Sequence, residues 1–427
     1  MPEWDQGPGS RTRLRSSSSP TRRRLPAAAS STSWEGLPSR DRPPLAAALA
    51  AGLLLVAIVA LTGRVYAGDA ERPLRVTGDA DPRAGADPVA GGDAGWRTLA
   101  DAPLAGRAGH TGVWTGAELL VWGGAAGDRA FADGAAYNPA ADAWRPLAAA
   151  PLAGRSRHVA VWTGAQMLVW GGEGPDGAAF VDGAAYDPVG DRWRAMAPAP
   201  LSPRRDPLAA WTGRELVVVG GLRGDERLTG AAAYDVAGDA WRSLPDAPLP
   251  VAGQAAGLWT ATRFVAWSGR SGAAYHPGAD RWQQLPDVPR DGAGRGTLLW
   301  TGDELLVLGT HLAGRPRTAG LATAPPVDDW HVLGPSPLPP STLHRMVWTG
   351  TEALFWGGLL GHDLRPGERI PRAGVRYDPA GDAWAEIPAA PIPGRLRAAA
   401  VWTGEELLVW GGSDRRRDYA DGAAFRP

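Results

Sequence analysis

The chain has 427 residues, with 44 basic and 45 acidic side chains and a formal net charge of −1. This balance excludes a nucleic-acid binder that relies on overall positive charge, because no cationic excess is present to displace counterions from phosphates. All basic residues are Arg, so lysine Schiff-base and Walker-type chemistry is excluded. The absence of Cys excludes disulfides, thiolate metal sites and cysteine nucleophiles.

The first segment, residues 1–44, is rich in Ser, Pro and Arg and is predicted to be disordered, because it has too little apolar surface to offset its ordering entropy. Residues 45–62 are Leu, Ala, Val and Ile with one Gly and one Thr, and no charge occurs between residues 43 and 63. At about 1.5 Å per residue that stretch spans roughly 31 Å, close to the ~30 Å hydrocarbon core of a bilayer. The pattern predicts one transmembrane helix over 45–62.

Eight Arg precede this helix, so we expect the N-terminus to stay in the cytoplasm and the rest of the chain to lie outside it, anchored in the cell membrane as a single-pass protein. The alternative is a cleaved signal peptide with secretion after cleavage near Ala67, where Val65 and Ala67 offer small residues. The long leader and long apolar run favour the uncleaved anchor. Residues 63–95 are rich in Gly, Asp and Pro and are expected to form a flexible linker.

Seven copies of one unit fill residues 96–427, each marked by a Trp that is followed by Thr-Gly in every copy but the fourth. A Pro lies eleven residues before each Trp, and a Gly-Gly pair begins nine residues after it in five copies. In five copies a Tyr and then a second Trp follow, seven residues apart; the fifth copy keeps the Trp but has Thr323 in the Tyr place. The seven first Trp are Trp114, Trp162, Trp211, Trp259, Trp300, Trp348 and Trp402.

Each copy is interpreted as four short strands. The first runs into Trp-Thr-Gly, the second is an apolar run that ends at the Gly pair, the third carries the Tyr and the fourth begins at the second Trp. Four strands in every ~40–50 residues are typical of a propeller blade, so the predicted fold class is all-β.

A di-glycine after an apolar strand, then Tyr and then Trp at a fixed interval, resembles the kelch-repeat family of the galactose-oxidase-like propeller superfamily. The resemblance covers about residues 96–427 and implies a seven-bladed β-propeller around a central channel. Arg without Lys, together with abundant Ala, Gly and Pro, suggests a GC-rich bacterial genome. With the predicted membrane helix over 45–62, the chain is expected to be a bacterial, membrane-anchored member of the kelch-repeat family.

The two ends of the repeat region are expected to close the ring. The chain ends at Asp421–Pro427, which matches a third strand without its fourth, and Trp96–Leu99 matches a fourth strand without the first three. Pairing them completes blade seven and leaves no open sheet edge.

Repeat positions separate packing residues from candidate binding residues. Every Trp after residue 95 lies at a repeat position, which favours packing between blades. The recurring acid after the Trp-Thr-Gly turn is interpreted as structural, since a catalytic carboxylate is usually singular; it is Glu118, Glu215, Glu304, Glu352 and Glu406.

By analogy with kelch domains, the loops that lead into each first strand surround one mouth of the channel. These loops carry the candidate ligand- or partner-binding residues Arg107, His110, Arg155, Arg157, His158, Arg204, His344, Arg395 and Arg397, with Arg295 at an equivalent position. One interpretation is structural: each Arg stacks on Trp and bonds loop carbonyls. The other is a ring of guanidiniums that accepts an acidic peptide or a carboxylate sugar. Three His spread around a rim disfavour a metal site, and no cofactor is expected.

The loop between the second and third strands of blade six is the longest and is the best single candidate for a partner contact. It runs from Leu359 to Gly374 and carries His362 and Arg365. Insertions on one face of a repeat protein commonly mark the binding face.

The expected function is a protein- or glycan-binding module, acting as a monomeric propeller outside the membrane, with an unknown protein or an acidic glycan as partner and no nucleic acid. The alternative is a non-metal enzyme similar to sialic-acid mutarotases or epimerases, acting at the channel mouth. A galactose-oxidase type is excluded because it needs Cys, and Ser-x-Asp-x-Gly-x-x-Trp boxes of the sialidase type are absent.

Overall fold

The computed structural model describes residues 95–251, 255–288, 297–308, 320–324, 330–337, 341–342, 345–360 and 370–427. The predicted tail, membrane helix and nearly all of the linker lie outside these residues. Within the described residues, no helix is long and apolar enough to cross a membrane.

The described part of the chain forms seven four-stranded antiparallel sheets, the blades of a propeller. In blades 1 to 6 the four strands follow one another both in sequence and in the sheet. Blade 1 comprises Thr111–Trp114, Leu119–Trp122, Gly134–Asn138 and Ala143–Pro146. Blade 2 comprises Val159–Trp162, Met167–Trp170, Gly183–Asp187 and Arg192–Ala195. Blade 3 comprises Leu208–Trp211, Glu215–Val219, Ala231–Asp235 and Ala240–Leu244.

The remaining blades follow the same plan. Blade 4 comprises Ala256–Trp259, Phe264–Ser268, Ser271–His276 and Arg281–Leu285, with a 3₁₀ turn at Pro277–Ala279. Blade 5 comprises Thr297–Trp300, Leu305–Leu308, Gly320–Thr323 and His331–Val332. Blade 6 comprises Arg345–Trp348, Ala353–Trp356, Gly374–Asp378 and Ala383–Ile387. Short two-residue ladders extend three connections: Ala125–Ala126 with Arg129–Ala130, Leu222–Arg223 with Glu226–Arg227, and Ser341–Thr342 with Leu359–Leu360.

Blade 7 joins the two ends of the repeat region, as the sequence predicts. Its first three strands are Ala399–Trp402, Leu407–Trp410 and Gly422–Arg426, and its fourth is Gly95–Thr98. Trp96 pairs with Phe425, and their rings pack 5.1 Å apart. The Trp96 indole N–H donates to the Pro388 carbonyl at 2.7 Å, which ties blade 7 to the loop after blade 6. Gly95, predicted as the last linker residue, already pairs with Arg426.

The Trp-Thr-Gly motif builds the hairpin between the first and second strands. In blade 1 the Thr115 hydroxyl accepts the backbone N–H of Glu118 at 2.9 Å, and the Thr115 N–H donates to the Glu118 carbonyl at 3.0 Å. Gly116 has φ +100°, a left-handed conformation that a side chain would strain. The motif is therefore explained by turn geometry.

In blades 1 to 3 the Tyr and the second Trp pin the blade to the preceding one. Tyr137 donates its hydroxyl to Asp142 Oδ1 at 2.6 Å, and the same Asp142 oxygen accepts the Ala100 N–H of the loop after blade 7 at 3.0 Å. The Trp144 indole donates to the Ala100 carbonyl at 3.0 Å. Burial raises the pKa of Tyr137 to about 12, so its hydroxyl keeps the donated proton. Blades 2 and 3 repeat these contacts with Tyr186, Asp191 and Trp193, and with Tyr234, Asp239 and Trp241.

The recurring acid is structural, as predicted. Glu118 accepts both Nε and Nη2 of Arg145 in the fourth strand of its own blade, at 3.0 and 2.7 Å. Arg145 also donates to the Tyr186 hydroxyl of blade 2 at 3.2 Å. Equivalent pairs in other blades are Arg97 with Glu406 and Arg242 with Glu215.

The core consists of seven apolar clusters, one between each pair of adjacent blades, within the described residues. At five of these interfaces a second-strand Trp contacts the fourth-strand Trp of the next blade, with ring centroids 5.5 to 5.8 Å apart. Such pairs add about 0.5–1.5 kcal/mol each beyond their area burial. The tryptophans therefore hold blades together, which confirms the packing interpretation.

Candidate binding surface at the channel mouth

The loop arginines that begin four of the seven repeats are buried clamps. Arg155 has no exposed surface, and its Nη1 donates to the Gly171 carbonyl at 3.1 Å and to Asp182 at 2.8 Å. Its guanidinium carbon lies 4.1 Å from the centroid of the Phe180 ring. Each contact lies in the connection between the second and third strands of blade 2, so the side chain fastens the incoming loop to that connection.

Two further blades repeat this clamp, and a third keeps part of it. Arg107 binds Gly123 and Asp133 and stacks on Phe131; Arg395 binds Gly411 and Asp421 and stacks on Tyr419. In blade 3 Arg204 donates to the Gly220 and Gly230 carbonyls at 2.8 and 3.0 Å without a carboxylate partner. Burial lowers the pKa of Arg204 to about 10, so it remains cationic at neutral pH.

These four positions do not form a ring of ligand-facing guanidiniums. All four side chains are buried, at 0 to 2% exposure, because they satisfy loop carbonyls that no strand partner reaches. The structural interpretation holds with one difference: the stacking partners are Phe and Tyr from the same blade, not Trp.

The predicted histidines are interblade packing groups. His110 Nε2 accepts the backbone N–H of Ala399 in blade 7 at 3.1 Å, and His158 Nε2 lies 2.8 Å from the Thr111 hydroxyl of blade 1. Each ring meets a second-strand Trp of the preceding blade edge-on, 5.2 Å between centroids. Burial, aided by neighbouring Arg cations, lowers the pKa of both imidazoles to about 3, so both are neutral.

The first glycine of the Gly-Gly pair makes room for this histidine. A Cβ on Gly123 would lie 2.6 Å from Cε1 of His158, and Gly123 also has φ +71°. The motif and the histidine are therefore parts of one interface. Within the described residues, no group of three His or carboxylate side chains could hold a metal ion.

The channel mouth is framed by four equivalent residues with left-handed backbones. Gly109, Arg157, Asp206 and Arg397 have φ of 69, 59, 47 and 54°. The N–H of Gly109 donates to the Arg397 carbonyl, that of Arg157 to Gly109, and that of Asp206 to Arg157, at 2.9 to 3.2 Å. Each left-handed non-glycine residue costs about 1–3 kcal/mol, which this blade-to-blade chain of hydrogen bonds offsets.

On the side of blades 2 and 3, the charges at the mouth neutralise one another. Arg157 donates to Glu173 at 2.9 Å and also to Asp206. Arg205 bridges to the other oxygen of Glu173 at 2.8 Å. Both of these arginines are therefore paired with carboxylates.

On the side of blade 7, exposed arginines have no acidic partner within the described residues. Arg397 is exposed at the mouth, and Arg415 and Arg416 are exposed at the tip of the connection between the second and third strands. Asp414 accepts the N–H groups of Arg416 and Arg417 at 2.9 and 3.0 Å, which fixes that tip. A cavity of about 340 Å³ is lined by Arg397, Arg415 and Arg157 and by the carboxylates Glu173 and Asp418, among others.

Arg345 is a channel residue that the sequence analysis missed. It opens the first strand of blade 6, where Nε donates to the Ala398 carbonyl, and it lines a central cavity of about 740 Å³ together with Arg397. Burial, and then the neighbouring Arg397 cation, lowers the pKa of Arg345 to about 10. A comparison of the repeats singles out Arg345. The position three residues before the anchoring Trp is uncharged in the other six copies: Thr111, Val159, Leu208, Ala256, Thr297 and Ala399.

A family model described as the KLHDC2/KLHL20/DRC7 Kelch-repeats domain matches residues 96–273. The match begins at the closing strand of blade 7 and ends within the third strand of blade 4. The match and the seven four-stranded blades support a kelch-type β-propeller. No curated protein matches the chain.

Three predicted contacts of the kelch propeller lie outside the described residues. They are His344, His362 and Arg365, the last two in the long connection of blade 6. Of the predicted residues, the structure brings Arg157, Arg397, His110 and His158 to the channel, and it places Arg107, Arg155, Arg204 and Arg395 in the loop clamps.

Proposed function

We propose that the kelch propeller is a protein-binding module whose partner docks over the channel mouth beside blade 7. The main support is a set of three exposed arginines that have no acidic partner within the described residues: Arg397, Arg415 and Arg416. Arginine is enriched where proteins recognise one another, because its guanidinium fork binds carboxylates in a fixed geometry.

A rigid base supports this role. The buried clamps at Arg395 and Arg107 fix the connections beside the mouth, and the hydrogen-bonded chain through Gly109 fixes its rim. A surface ordered before binding loses less conformational entropy on association, so more of the contact energy appears as affinity.

Charge distribution favours a partner with an acidic segment over blade 7. The connection of blade 7 exposes Arg415 and Arg416 at its tip, with Asp414 and Asp418 on either side, whereas the equivalent connection of blade 2 carries Glu173 and Asp176 and no arginine. A partner with acidic residues at one end of its docking segment would therefore be oriented by complementary charge.

One function is proposed, because no observation on the described residues favours the mutarotase-like alternative. The two channel imidazoles are neutral and packed against Trp410 and Trp122. Both rings pack between blades. A general acid or base would instead have to titrate in the working pH range and lie within reach of the substrate.

The test is a peptide-library selection on the purified full-length chain. We expect enrichment of acidic peptides whose affinity falls at least 10-fold when Arg397, Arg415 and Arg416 are all replaced by Ala. Arg227→Ala, an exposed arginine on blade 3, is the matched control and should leave affinity unchanged. Failure to enrich any peptide, enrichment of acidic glycans alone in a parallel array, or equal binding by the triple variant would contradict the proposal.

The location of the module is the second part of the proposal. We infer that residues 45–62 anchor the propeller in the cell membrane of a bacterium with the N-terminal tail in the cytoplasm; the uncharged stretch between residues 43 and 63 supports this. In intact cells, protease should degrade the propeller while an N-terminal tag survives in the carbonate-washed membrane. Recovery of a soluble chain that begins near Gly68 would instead show cleavage and secretion.

A further inference from the structure

The channel wall contains a cation that the fold does not require. Arg345 stands at a first-strand position where every other blade has Thr, Val, Leu or Ala, and its backbone pairs with Trp356 as those residues pair in their own blades. The same register is therefore formed with an uncharged side chain six times. A guanidinium is therefore not needed for the strand pairing of the blade.

The surroundings of Arg345 leave its charge uncompensated. It is partly buried, it donates Nε to the Ala398 carbonyl, and no carboxylate pairs with it among the described residues. A second cation, Arg397, lines the same cavity, and its repulsion adds to burial in lowering the pKa of Arg345. Holding two guanidiniums together in a confined cavity is costly unless an anion lies between them.

The cavity has room for such an anion. It measures about 740 Å³, and the first strands line it with small residues such as Gly112, Ala160 and Gly257. Among its described lining residues are the three cations Arg157, Arg345 and Arg397 and one carboxylate, Asp206, which Arg157 already binds. The free positive charge is thus concentrated at blades 6 and 7.

We propose that the channel holds an oxyanion site between Arg345 and Arg397. Guanidinium forks bind planar carboxylates and phosphate oxygens through paired N–H donors, so the ligand is an oxyanion of one of these two kinds. The oxyanion has two sources. One is an Asp or Glu side chain of a docked protein, and for this source the inference rests on the proposed function. A free phosphate is the other source.

Arg345→Thr is the variant that isolates the site. Threonine occupies the equivalent position in blades 1 and 5, so the blade is expected to fold around it. Removing an uncompensated charge should also raise the melting temperature in the absence of anions, which a stabilising role for Arg345 would not do. Arg397→Ala removes the second guanidinium, and Arg227→Ala is the control, because Arg227 is exposed on blade 3 and does not line this cavity.

The experiment measures binding to the full-length chain by calorimetry and thermal shift, with ionic strength held constant by NaCl. The probes are inorganic phosphate, N-acetylaspartate and the acidic peptides selected as above. We expect saturable binding of at least one probe that weakens 10-fold or more in Arg345→Thr and in Arg397→Ala and is unchanged in Arg227→Ala. Phosphate binding identifies the free anion, and binding of the carboxylate probes alone identifies the partner side chain.

Two outcomes separate this inference from the proposed function. Peptides that depend on Arg415 and Arg416 but bind Arg345→Thr normally, with no binding of either small probe, would overturn the oxyanion site and leave the docking surface intact. Binding of phosphate that requires Arg345, without any selected peptide, would support the site and contradict the docking surface. Equal binding of every probe by wild type and Arg345→Thr would overturn the site.

Discussion

The loop clamp of blade 2 and the channel wall at blades 6 and 7 both depend on arginine, but the surroundings differ. Arg155 is buried with a carboxylate, three carbonyls and an aromatic ring around it. Arg345 and Arg397 line one cavity, and no carboxylate of the described residues pairs with either of them. Arginine that is fully hydrogen-bonded holds the fold together, whereas arginine whose charge is left uncompensated is available for a ligand.

The largest expected effect breaks the clamp. Arg155→Ala removes a buried side chain and its charged hydrogen bonds, so we expect the free energy of unfolding to fall by about 3–5 kcal/mol. Urea unfolding of the full-length chain measures this. The exposed Arg415→Ala is the matched control and should change stability by less than about 0.5 kcal/mol. A loss below about 1 kcal/mol for Arg155→Ala would show that the clamp is not structural.

The neutral histidines give the next effect, a loss of stability in acid. Folded His110 and His158 have pKa values of about 3, so the unfolded chain binds more protons between about pH 6.5 and pH 3. Stability therefore falls as the pH falls through this window, by about 2 kcal/mol per histidine at pH 5. Urea unfolding from pH 7 to pH 4 should show a shallower decline in His110→Gln/His158→Gln than in wild type. Parallel declines would mean that these imidazoles titrate normally.

A smaller effect sharpens the comparison by completing the clamp of blade 3. A Cβ on Gly230 would lie 3.7 Å from Nη2 of Arg204, at the place where blades 1, 2 and 7 have Asp. Gly230→Asp should supply the missing carboxylate, raise the pKa of Arg204 and stabilise the propeller by about 1 kcal/mol. Gly230→Asn is the matched control without the charge. If Asn stabilises as much as Asp in thermal unfolding, the carboxylate is not what the blade lacks.

Repeat spacing predicted the fold well, because each motif residue acts locally or on the adjacent blade. The strand order, the seven blades and the pairing of Trp96 with Phe425 are confirmed. These features follow from turn geometry and from apolar runs, which a single sequence displays directly.

The candidate site was harder to predict, because a conserved offset does not tell whether a side chain is buried. Arg155 and Arg397 lie in the same loop of their respective repeats, two residues apart in offset, yet one is buried and the other exposed. Only the contacts with Asp182 and Phe180 separate them, and those residues lie far along the chain. Arg345 belongs to no loop motif. It stands at a strand position, and only a comparison of that position across the seven copies shows that a charge is unusual there.

The central claim is that clamp arginines serve the fold and mouth arginines serve binding. Its most direct test measures melting temperature and affinity for the selected acidic peptides in Asp182→Ala and Arg397→Ala of the full-length chain. We expect the two variants to have opposite effects. Asp182→Ala should lower the melting temperature and leave the affinity unchanged, whereas Arg397→Ala should leave the melting temperature unchanged and weaken the affinity at least 10-fold. A loss of affinity in Asp182→Ala at temperatures where it is folded, with unchanged affinity in Arg397→Ala, would contradict it.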